Sequence, residues 1–379
     1  MQCNICKSKN TKMIYNTDNG SLSSICEISQ NNISVYKCNN CLHVFTDFEI
    51  DSKEYYDDQY NILTNSEEED QLYEVTKSGE KIFRTQHQVN LLKKSFNLDK
   101  NTKILDFGCA KSSTMKLLSQ EIGIKPYLFD VSDKYIAFWE KFTSSKYYAT
   151  YETPKEWNNT FSLITSYFSL EHIEKPIEAV KKIYDLLEED GIFYFIVPDP
   201  LVNIGDMIVN EHINHFTKNS IKYLLKTNDF SIQNIDFKSY YGAMVVTAKK
   251  EKEGFGKNYQ HSIDTKIDDK IESIAQYWKS FDKRIKNIQS NLKGKKFAIY
   301  GSGFYGSLIY SKLSDKKNLQ CFIDQNPYRQ QEKNYGHDIL AFENLPEDVS
   351  DVIVGLNPNK AKEIISELQP KRKINFIYV

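Results

Sequence analysis

The stretch Lys103-Ile-Leu-Asp-Phe-Gly-Cys-Ala110 decides the fold. Its apolar strand runs into a turn of small residues, Gly108–Ala110, which leads into a helical segment at Ser113–Gln120. A strand, a tight turn and a helix N-terminus let backbone amides approach a ligand closely. A second apolar strand, Pro126–Phe129, precedes Asp130, and an acidic residue at that distance suits a pair of ribose hydroxyls. The alternative is an ordinary βαβ unit without a ligand.

The chemistry of this turn indicates which ligand it holds. The turn reads Asp-x-Gly-x-Ala, so Asp106 stands where a dinucleotide site would place a pyrophosphate. A carboxylate there repels phosphate and attracts a cationic amino group. We therefore predict that Asp106, Gly108, Ala110 and Asp130 bind S-adenosylmethionine rather than NAD. Phe168, just past the fourth strand, is predicted to form an apolar wall of this site.

Length and composition set broad limits on the protein. A chain of 379 residues allows two or three domains, and a formal net charge of −2 gives no global attraction to nucleic acid. No apolar run approaches 18 residues and the N-terminus does not resemble a signal peptide, so we expect no membrane association and a cytoplasmic location. Four of the seven cysteines form two Cys-x-x-Cys pairs, which favours metal binding over disulfides.

The two pairs are Cys3/Cys6 and Cys38/Cys41. Two knuckles of this spacing supply four thiolates to a tetrahedral zinc, and the polar segment between them needs metal to fold. A closed four-thiolate site leaves no open position, so we predict a structural zinc module over residues 1–60. Cys26 and His43 lie outside the pairs and are expected to be bystanders.

Residues 61–250 alternate strands and helices, as in a doubly wound α/β fold with a mostly parallel sheet. After the fifth strand comes Glu211-His-Ile-Asn-His215, in a loop that the topology places at the carboxyl ends of the strands, where ligands bind. Histidine is a suitable general base near neutral pH, so His212 is predicted to be the base, with Glu211 assisting it and His215 contacting substrate. One alternative is that His212 and His215 have only a structural role, in helix capping or in packing. Another is that Glu211, His212 and His215 bind a metal.

Three further segments have more than one interpretation. A helical pattern from Lys77 onward is expected to cover the cofactor, and Tyr73 before it is predicted to point its phenol at the substrate; core or surface packing is the alternative. Residues 251–293 form a long amphipathic helix, a connector that packs along its own domains or makes a dimer seam. Residues 294–379 restart an α/β pattern around the turn Gly301–Gly306, typical of a Rossmann-like domain that binds nucleotide or serves packing.

Residues 103–200 resemble a class I S-adenosylmethionine-dependent methyltransferase. That family commonly shows Leu-Glu-His after its fourth strand, present as Leu170-Glu-His172, and a Leu-x-Pro-Gly-Gly motif before its fifth, degraded here to Leu187-Glu-Glu-Asp-Gly191. The resemblance implies methyl transfer from S-adenosylmethionine.

The whole chain resembles the sugar C-methyltransferases that act on nucleotide-linked 4-keto deoxysugars. They combine a four-cysteine zinc module, a class I methyltransferase and a C-terminal Rossmann-like domain, and carry a Glu-His-x-x-x-aromatic segment matched by Glu211, His212 and Phe216. The resemblance implies that His212 removes a proton beside the ketone. Val209 and the turn Gly301–Gly306 depart from the family pattern, which leaves the sugar and the nucleotide open.

The sequence is compatible with three functions, which we compare. The first is C-methylation of a nucleotide-linked sugar by a monomer or weak homodimer. The second is O-methylation of a sugar or polysaccharide, in which the same histidine deprotonates an alcohol. The third is a non-catalytic ligand sensor, which the Asp106/Gly108/Asp130 set and the titratable loop disfavour.

Overall fold

The computed structural model describes residues 1–18, 20–47, 70–76 and 79–379. The predicted boundary between residues 60 and 61, and the start of the predicted helix at Lys77, lie outside the described residues. The chain divides into two compact units, each built from three separate segments. The first unit comprises Met1–Lys12, Tyr36–Pro200 and His212–Thr265, and the second comprises Met13–Val35, Leu201–Glu211 and Lys266–Val379.

The N-terminal part of the chain forms short strands. They are β1 (Thr11–Asn16), β2 (Ser21–Leu22), β3 (Ile28–Ser29), β4 (Ser34–Cys38), β5 (Val44–Asp47), β6 (Leu72–Val75) and β7 (Lys81–Phe83). β2 with β3, and β6 with β7, form antiparallel pairs. Helix α1 (Arg84–Ser95) begins only after β7, because Ile82 pairs with Glu74 in the hairpin instead of extending the helix. A pairing between strands has overridden the local helical pattern.

The central part of the chain forms a seven-stranded sheet and the helices that pack on it. Its strands and helices are β8 (Ile104–Phe107), α2 (Ser113–Ile122), β9 (Tyr127–Asp130), α3 (Ile136–Trp139), β10 (Tyr148–Thr150), β11 (Phe161–Tyr167), α4 (Pro176–Leu186), β12 (Leu187–Pro198), β13 (Asn214–His215), α5 (Lys218–Lys226), β14 (Phe230–Asp236) and β15 (Ala243–Lys250). The strand order is β10-β9-β8-β11-β12-β15-β14, and β13 instead joins a sheet of order β1-β4-β5-β13.

The strand directions confirm the predicted doubly wound fold. β10, β9, β8, β11 and β12 are parallel, and β15 and β14 close the sheet as an antiparallel pair. The connection reverses direction between β8 and β11, and in such sheets the ligand crevice lies at this switch point. All four residues of β8 are buried, as expected for a strand covered on both faces.

Helices α1 and α2 pack on each other beside this crevice. The Thr114 hydroxyl donates to Gln88 Oε1 at 2.6 Å, and both side chains are buried. Because α2 begins directly after the Gly108–Ala110 turn, this contact fixes the helix that follows the turn.

The second unit contains the remaining elements. They are α6 (Thr265–Asn291), β16 (Phe297–Tyr300), α7 (Phe304–Lys312), β17 (Leu319–Ile323), β18 (Lys333–Asn334), β19 (His337–Leu340), β20 (Asp351–Val354), α8 (Pro358–Ser366) and β21 (Asn375–Tyr378). Their sheet has the order β18-β19-β17-β16-β20-β21. The apolar stripe of α6 is buried, and the Trp278 indole donates to Ile204 O at 2.9 Å within the same unit.

The glycines of the second unit's turn have a packing explanation. A Cβ at Gly306 would lie 1.9 Å from the carbonyl oxygen of Gly301, so only glycine fits there. The Asp324 carboxylate, at the end of β17, accepts from the Ser302 amide at 2.9 Å and from its hydroxyl at 2.7 Å. Close backbone packing explains the glycines of this turn, and the two hydrogen bonds from Ser302 hold the Asp324 carboxylate beside it.

Among the described residues, no helix has both the length and the apolar character needed to cross a membrane.

Candidate functional site

Two buried carboxylates lie beside the turn that follows β8. Asp106 accepts hydrogen bonds from the Ser112 hydroxyl at 2.8 Å and the Thr165 hydroxyl at 2.9 Å. Asp130, at the end of β9, accepts from the Ala110 amide at 2.7 Å. The structure thus brings together the acidic residues and the turn that the sequence predicted as a cofactor site.

The backbone of this turn is held in left-handed conformations. Gly108 has φ +69°, and a Cβ there would lie 2.0 Å from Ser169 Oγ, so the position requires glycine. Ala110 and Ser112 have φ +45° and +53°, which are uncommon for residues with a side chain. The Trp139 indole donates to Ala110 O at 2.7 Å and helps to hold the turn. Strained backbone of this kind concentrates at ligand-binding sites.

The electrostatics of the two carboxylates favour a cationic ligand. Burial raises the pKa of Asp106 to about 6, despite the hydrogen bonds from Ser112 and Thr165, and the charge of Asp130 adds to the rise. Burial likewise raises the pKa of Asp130 to about 6, against hydrogen bonds from backbone amides. A cation beside such a pair offsets their desolvation and mutual repulsion. The ammonium and the ribose hydroxyls of S-adenosylmethionine are suitable hydrogen-bond donors to these two carboxylates, and its sulfonium adds a positive charge.

An aromatic cluster includes two of the predicted residues, Phe168 and Tyr73. Phe168 follows β11 with φ +52°, and the Arg84 guanidinium lies 4.0 Å above its ring. The Tyr73 ring stacks on His87 with centroids 3.8 Å apart, and Tyr240 meets both Tyr73 and Phe168 edge-on.

The Tyr73 hydroxyl accepts from the Tyr241 amide at 3.0 Å. Its phenol therefore has a backbone partner as well as a stacking partner. Sequence reasoning missed Arg84, His87 and Tyr240. No local motif marks Tyr240, which is 167 positions from Tyr73 in the chain.

His212 and His172 form a close pair. Their rings meet edge-on with centroids 4.7 Å apart, and His212 is buried at 8% exposure. Glu171, His172 and His212 each present a ligand atom within 4.8 Å of the others. Sequence reasoning quoted His172 only as part of a motif, although an acid and an imidazole side by side are a recognisable signal for proton transfer.

The other two loop residues have different surroundings. His215 is fully buried, and its Nε2 lies 2.8 Å from the Thr46 hydroxyl. Glu211 is also fully buried, and its Oε1 accepts from the Ser24 amide at 2.6 Å within the second unit. Glu211 Oε2 is buried with no hydrogen-bond partner among the described residues.

The four cysteines of the two pairs converge on one point. The sulfurs of Cys6 and Cys38 are 3.4 Å apart, those of Cys3 and Cys41 are 3.7 Å apart, and all four lie within 4.8 Å of one another. Four thiolates at a Zn–S length of about 2.3 Å define a tetrahedron with an edge of roughly 3.8 Å. The cluster therefore has the donor set and spacing that a tetrahedral zinc needs.

The two bystander residues lie outside this cluster. Burial lowers the pKa of His43 to about 3, and its Nε2 lies 3.2 Å from Asn214 Oδ1. Cys26 belongs to the second unit, where burial raises its pKa.

Comparisons with known proteins bear on the central part of the chain. Residues 82–235 match a family described as "Methyltransferase domain". The comparison with curated proteins finds no significant match.

Several solved structures are similar to part of the chain. An S-adenosylmethionine-dependent methyltransferase from Mesorhizobium loti is 13% identical, with 43% of this chain and 98% of that chain covered and a TM-score of 0.37. One from Aquifex aeolicus is 16% identical, with 42% and 88% covered and a TM-score of 0.34. Magnesium protoporphyrin IX methyltransferase from Synechocystis, solved with bound SAH, is 15% identical, with 44% and 81% covered and a TM-score of 0.35.

The family match, the strand order and the two carboxylates all indicate the same kind of domain. Residues 82–235 are a class I methyltransferase domain. The protein is an S-adenosylmethionine-dependent methyltransferase.

Proposed function

We propose that this methyltransferase transfers the methyl group to a carbon of a nucleotide-linked 4-keto deoxysugar, with His212 as general base. One observation carries the proposal: the His172–His212 pair, in which His212 is buried, is connected by a short stretch of chain to the cofactor turn. Ser169 lies against Gly108, and His172 follows it by three residues. A proton-accepting imidazole therefore belongs to the same edge of the sheet as the predicted cofactor site.

The residues would act as follows. S-adenosylmethionine, when bound, supplies the electrophilic methyl group. Asp106 would hold its ammonium and Asp130 its ribose, while Phe168 would shield it from water. His212 would take the proton from the carbon beside the ketone. The enolate carbon would then accept the methyl group as the bond between that group and sulfur breaks, which leaves S-adenosylhomocysteine. Most of the rate comes from holding the two carbons in contact.

Two residues of the first unit are proposed to bind the sugar. Tyr73 and His215 are proposed to contact substrate through their rings, since Tyr241 and Thr46 engage their polar atoms.

We further propose that Cys3, Cys6, Cys38 and Cys41 bind one structural zinc. The support is the spacing of the four sulfurs described above. Since all four positions of a tetrahedral zinc are then filled by protein, such a zinc has no open position for substrate.

The test uses S-adenosylmethionine with a labelled methyl group and a panel of 4-keto and 4-hydroxy nucleotide sugars. We expect label on carbon with a 4-keto sugar, and deuterium uptake at the reacting carbon in heavy water. Loss of a general base costs about a hundred- to ten-thousandfold in rate, so His212→Asn should abolish exchange and methylation while cofactor affinity is kept.

The matched control is His261→Asn, a half-buried histidine that lies against Tyr223 and Tyr259. It should retain turnover, and His215→Asn should lose less than His212→Asn. Label on oxygen, with equal turnover of the 4-hydroxy sugar, would show a sugar O-methyltransferase instead. A His212 variant with normal turnover would contradict its role as base.

A further inference from the structure

The side-chain amide of Asn214 makes four hydrogen bonds in the interior of the first unit. Its Nδ2 donates to Leu170 O at 3.0 Å and to Ile173 O at 2.7 Å. Its Oδ1 lies 2.6 Å from Asn4 Nδ2 and 3.2 Å from His43 Nε2. The residue is 1% exposed, so water does not compete for these bonds.

The two carbonyls fix the orientation of the amide. Since carbonyl oxygens only accept, Nδ2 must face Leu170 and Ile173, and Oδ1 must accept from Asn4 and His43. A primary amide has two donor hydrogens and two acceptor lone pairs, so every one of them is used. A buried amide whose donors and acceptors are all satisfied holds its partners rigidly.

These four partners belong to two different parts of the site. Asn4 lies between Cys3 and Cys6, and His43 follows Cys41 by two residues. Leu170 and Ile173 bracket His172, whose ring meets that of His212. Asn214 itself is two residues after His212. One side chain therefore joins the segments that carry Cys3, Cys6, Cys38 and Cys41, here called the cysteine module, to both members of the histidine pair.

The surrounding backbone reinforces this junction. β13 pairs with β5 through Asn214–Phe45 and His215–Val44, and the Thr46 amide donates to Ile213 O at 3.0 Å. The Thr217 hydroxyl donates to Leu42 O at 3.0 Å. The loop that carries His212 is therefore seated on the cysteine module along several residues.

We propose that Asn214 is a positioning residue that sets the geometry of the His172–His212 pair. Its relevance to turnover rests on the proposed function, in which His212 is the base. It acts without touching substrate, by holding the backbone on both sides of His172 against the strand that follows His212. The cysteine module thereby contributes to the arrangement of the proton-transfer pair as well as to folding.

The decisive variant is Asn214→Asp. It keeps the acceptor for Asn4 and His43 but presents a carboxylate oxygen to two carbonyls, which removes the bonds to Leu170 and Ile173. A displacement of about 1 Å can cost roughly a hundredfold in rate. We expect kcat to fall by about ten- to a hundredfold, with the Kd for S-adenosylmethionine within about twofold of the wild type.

Two further variants keep the test interpretable. Asn228→Asp is the matched control, because Asn228 is also buried and its Nδ2 donates to Leu224 O at 2.7 Å, away from the loop. It should lower the melting temperature while kcat stays within about twofold of wild type. Asn4→Ala, which removes a single bond from the network, gives an intermediate loss of kcat if Asn214→Asp folds poorly.

A second readout separates this proposal from the proposed function. In spectra of [15N]histidine-labelled protein, assigned with His172→Asn and His212→Asn, the ring signals of both histidines should shift in Asn214→Asp and stay in place in Asn228→Asp. Unchanged ring signals, or a folded Asn214→Asp protein with the kcat of the control, would overturn the positioning role. Shifted signals in a protein that methylates no 4-keto sugar would support it and refute only the substrate assignment.

Discussion

Replacing Asp106 with asparagine should stabilise the ligand-free protein while it weakens cofactor binding. The side chain is buried at 2% exposure, and its pKa rises from 3.8 to about 6. The folded state therefore holds this proton more tightly than the unfolded chain. Between these two pKa values the folded state binds more protons, so the free energy of unfolding falls as the pH rises.

The size of the effect follows from the shift. A rise of about two pKa units, at 1.36 kcal/mol each, means that the ionised Asp106 destabilises the folded state by about 3 kcal/mol. This destabilisation is fully present above pH 6 and absent below about pH 4. Asp106→Asn removes this destabilisation and is nearly isosteric, and Ser112 and Thr165 can still hydrogen-bond to it. For a domain of this size each kcal/mol is worth about 2–4 °C, so the melting temperature should rise by about 6–12 °C at pH 8 and by almost nothing at pH 4.

The measurement is thermal unfolding of ligand-free protein from pH 4 to pH 8, with calorimetry of S-adenosylmethionine binding. Charged hydrogen bonds are worth about 1.5–3 kcal/mol, so the affinity should fall about ten- to a hundredfold.

Asp236→Asn is the control with the opposite sign. Burial opposes ionisation there, but hydrogen bonds from Ser239 and from the amides of Lys238 and Ser239 together lower its pKa. That variant should lose stability at high pH. An Asp106→Asn protein that is less stable than wild type at pH 8, or that binds the cofactor normally, would refute the reasoning.

Three other outcomes are expected. Protein prepared without chelator should contain one zinc per chain by elemental analysis; Cys38→Ser should lose it with a lower melting temperature, whereas Cys26→Ser should keep it. Asp130→Ala should weaken S-adenosylmethionine binding about ten- to a hundredfold in calorimetry, through loss of the ribose hydrogen bonds, and an unchanged affinity would contradict the assignment. Tyr73→Leu, which removes the aromatic ring, should raise KM for the sugar with little change in kcat if the ring contacts substrate, and an unchanged KM would remove Tyr73 from the site.

The cofactor turn could be predicted because its signals are local. The apolar strand, Gly108 and Asp130 lie within 30 residues of one another, and each marks a physical need of the turn: a close backbone approach or a carboxylate at a strand end. The start of α1 could not be predicted in the same way. The pattern around Ile82 is compatible with a helix, and only its pairing with Glu74 makes it a strand.

The histidine pair depends on contacts that are distant in sequence. His172 and His212 are 40 positions apart, and His215 and Thr46 are 169 apart. No periodicity or spacing rule connects such residues, because their proximity is set by strand order and by the loop's docking on β5. The loop was predictable as a titratable segment, but the partner of each imidazole was not.

The division into two units has a consequence for how the polypeptide is made. The chain passes from one unit to the other five times, at residues 12/13, 35/36, 200/201, 211/212 and 265/266. The first unit cannot be complete until Thr265 has left the ribosome, and the second cannot be complete until Val379 has done so. A fragment of residues 61–250 would lack all four cysteines of the cluster. Removal of the C-terminal part would leave Met13–Val35 without most of its unit. Synthesis thus delays both folding steps, and neither half is separable by a single cut.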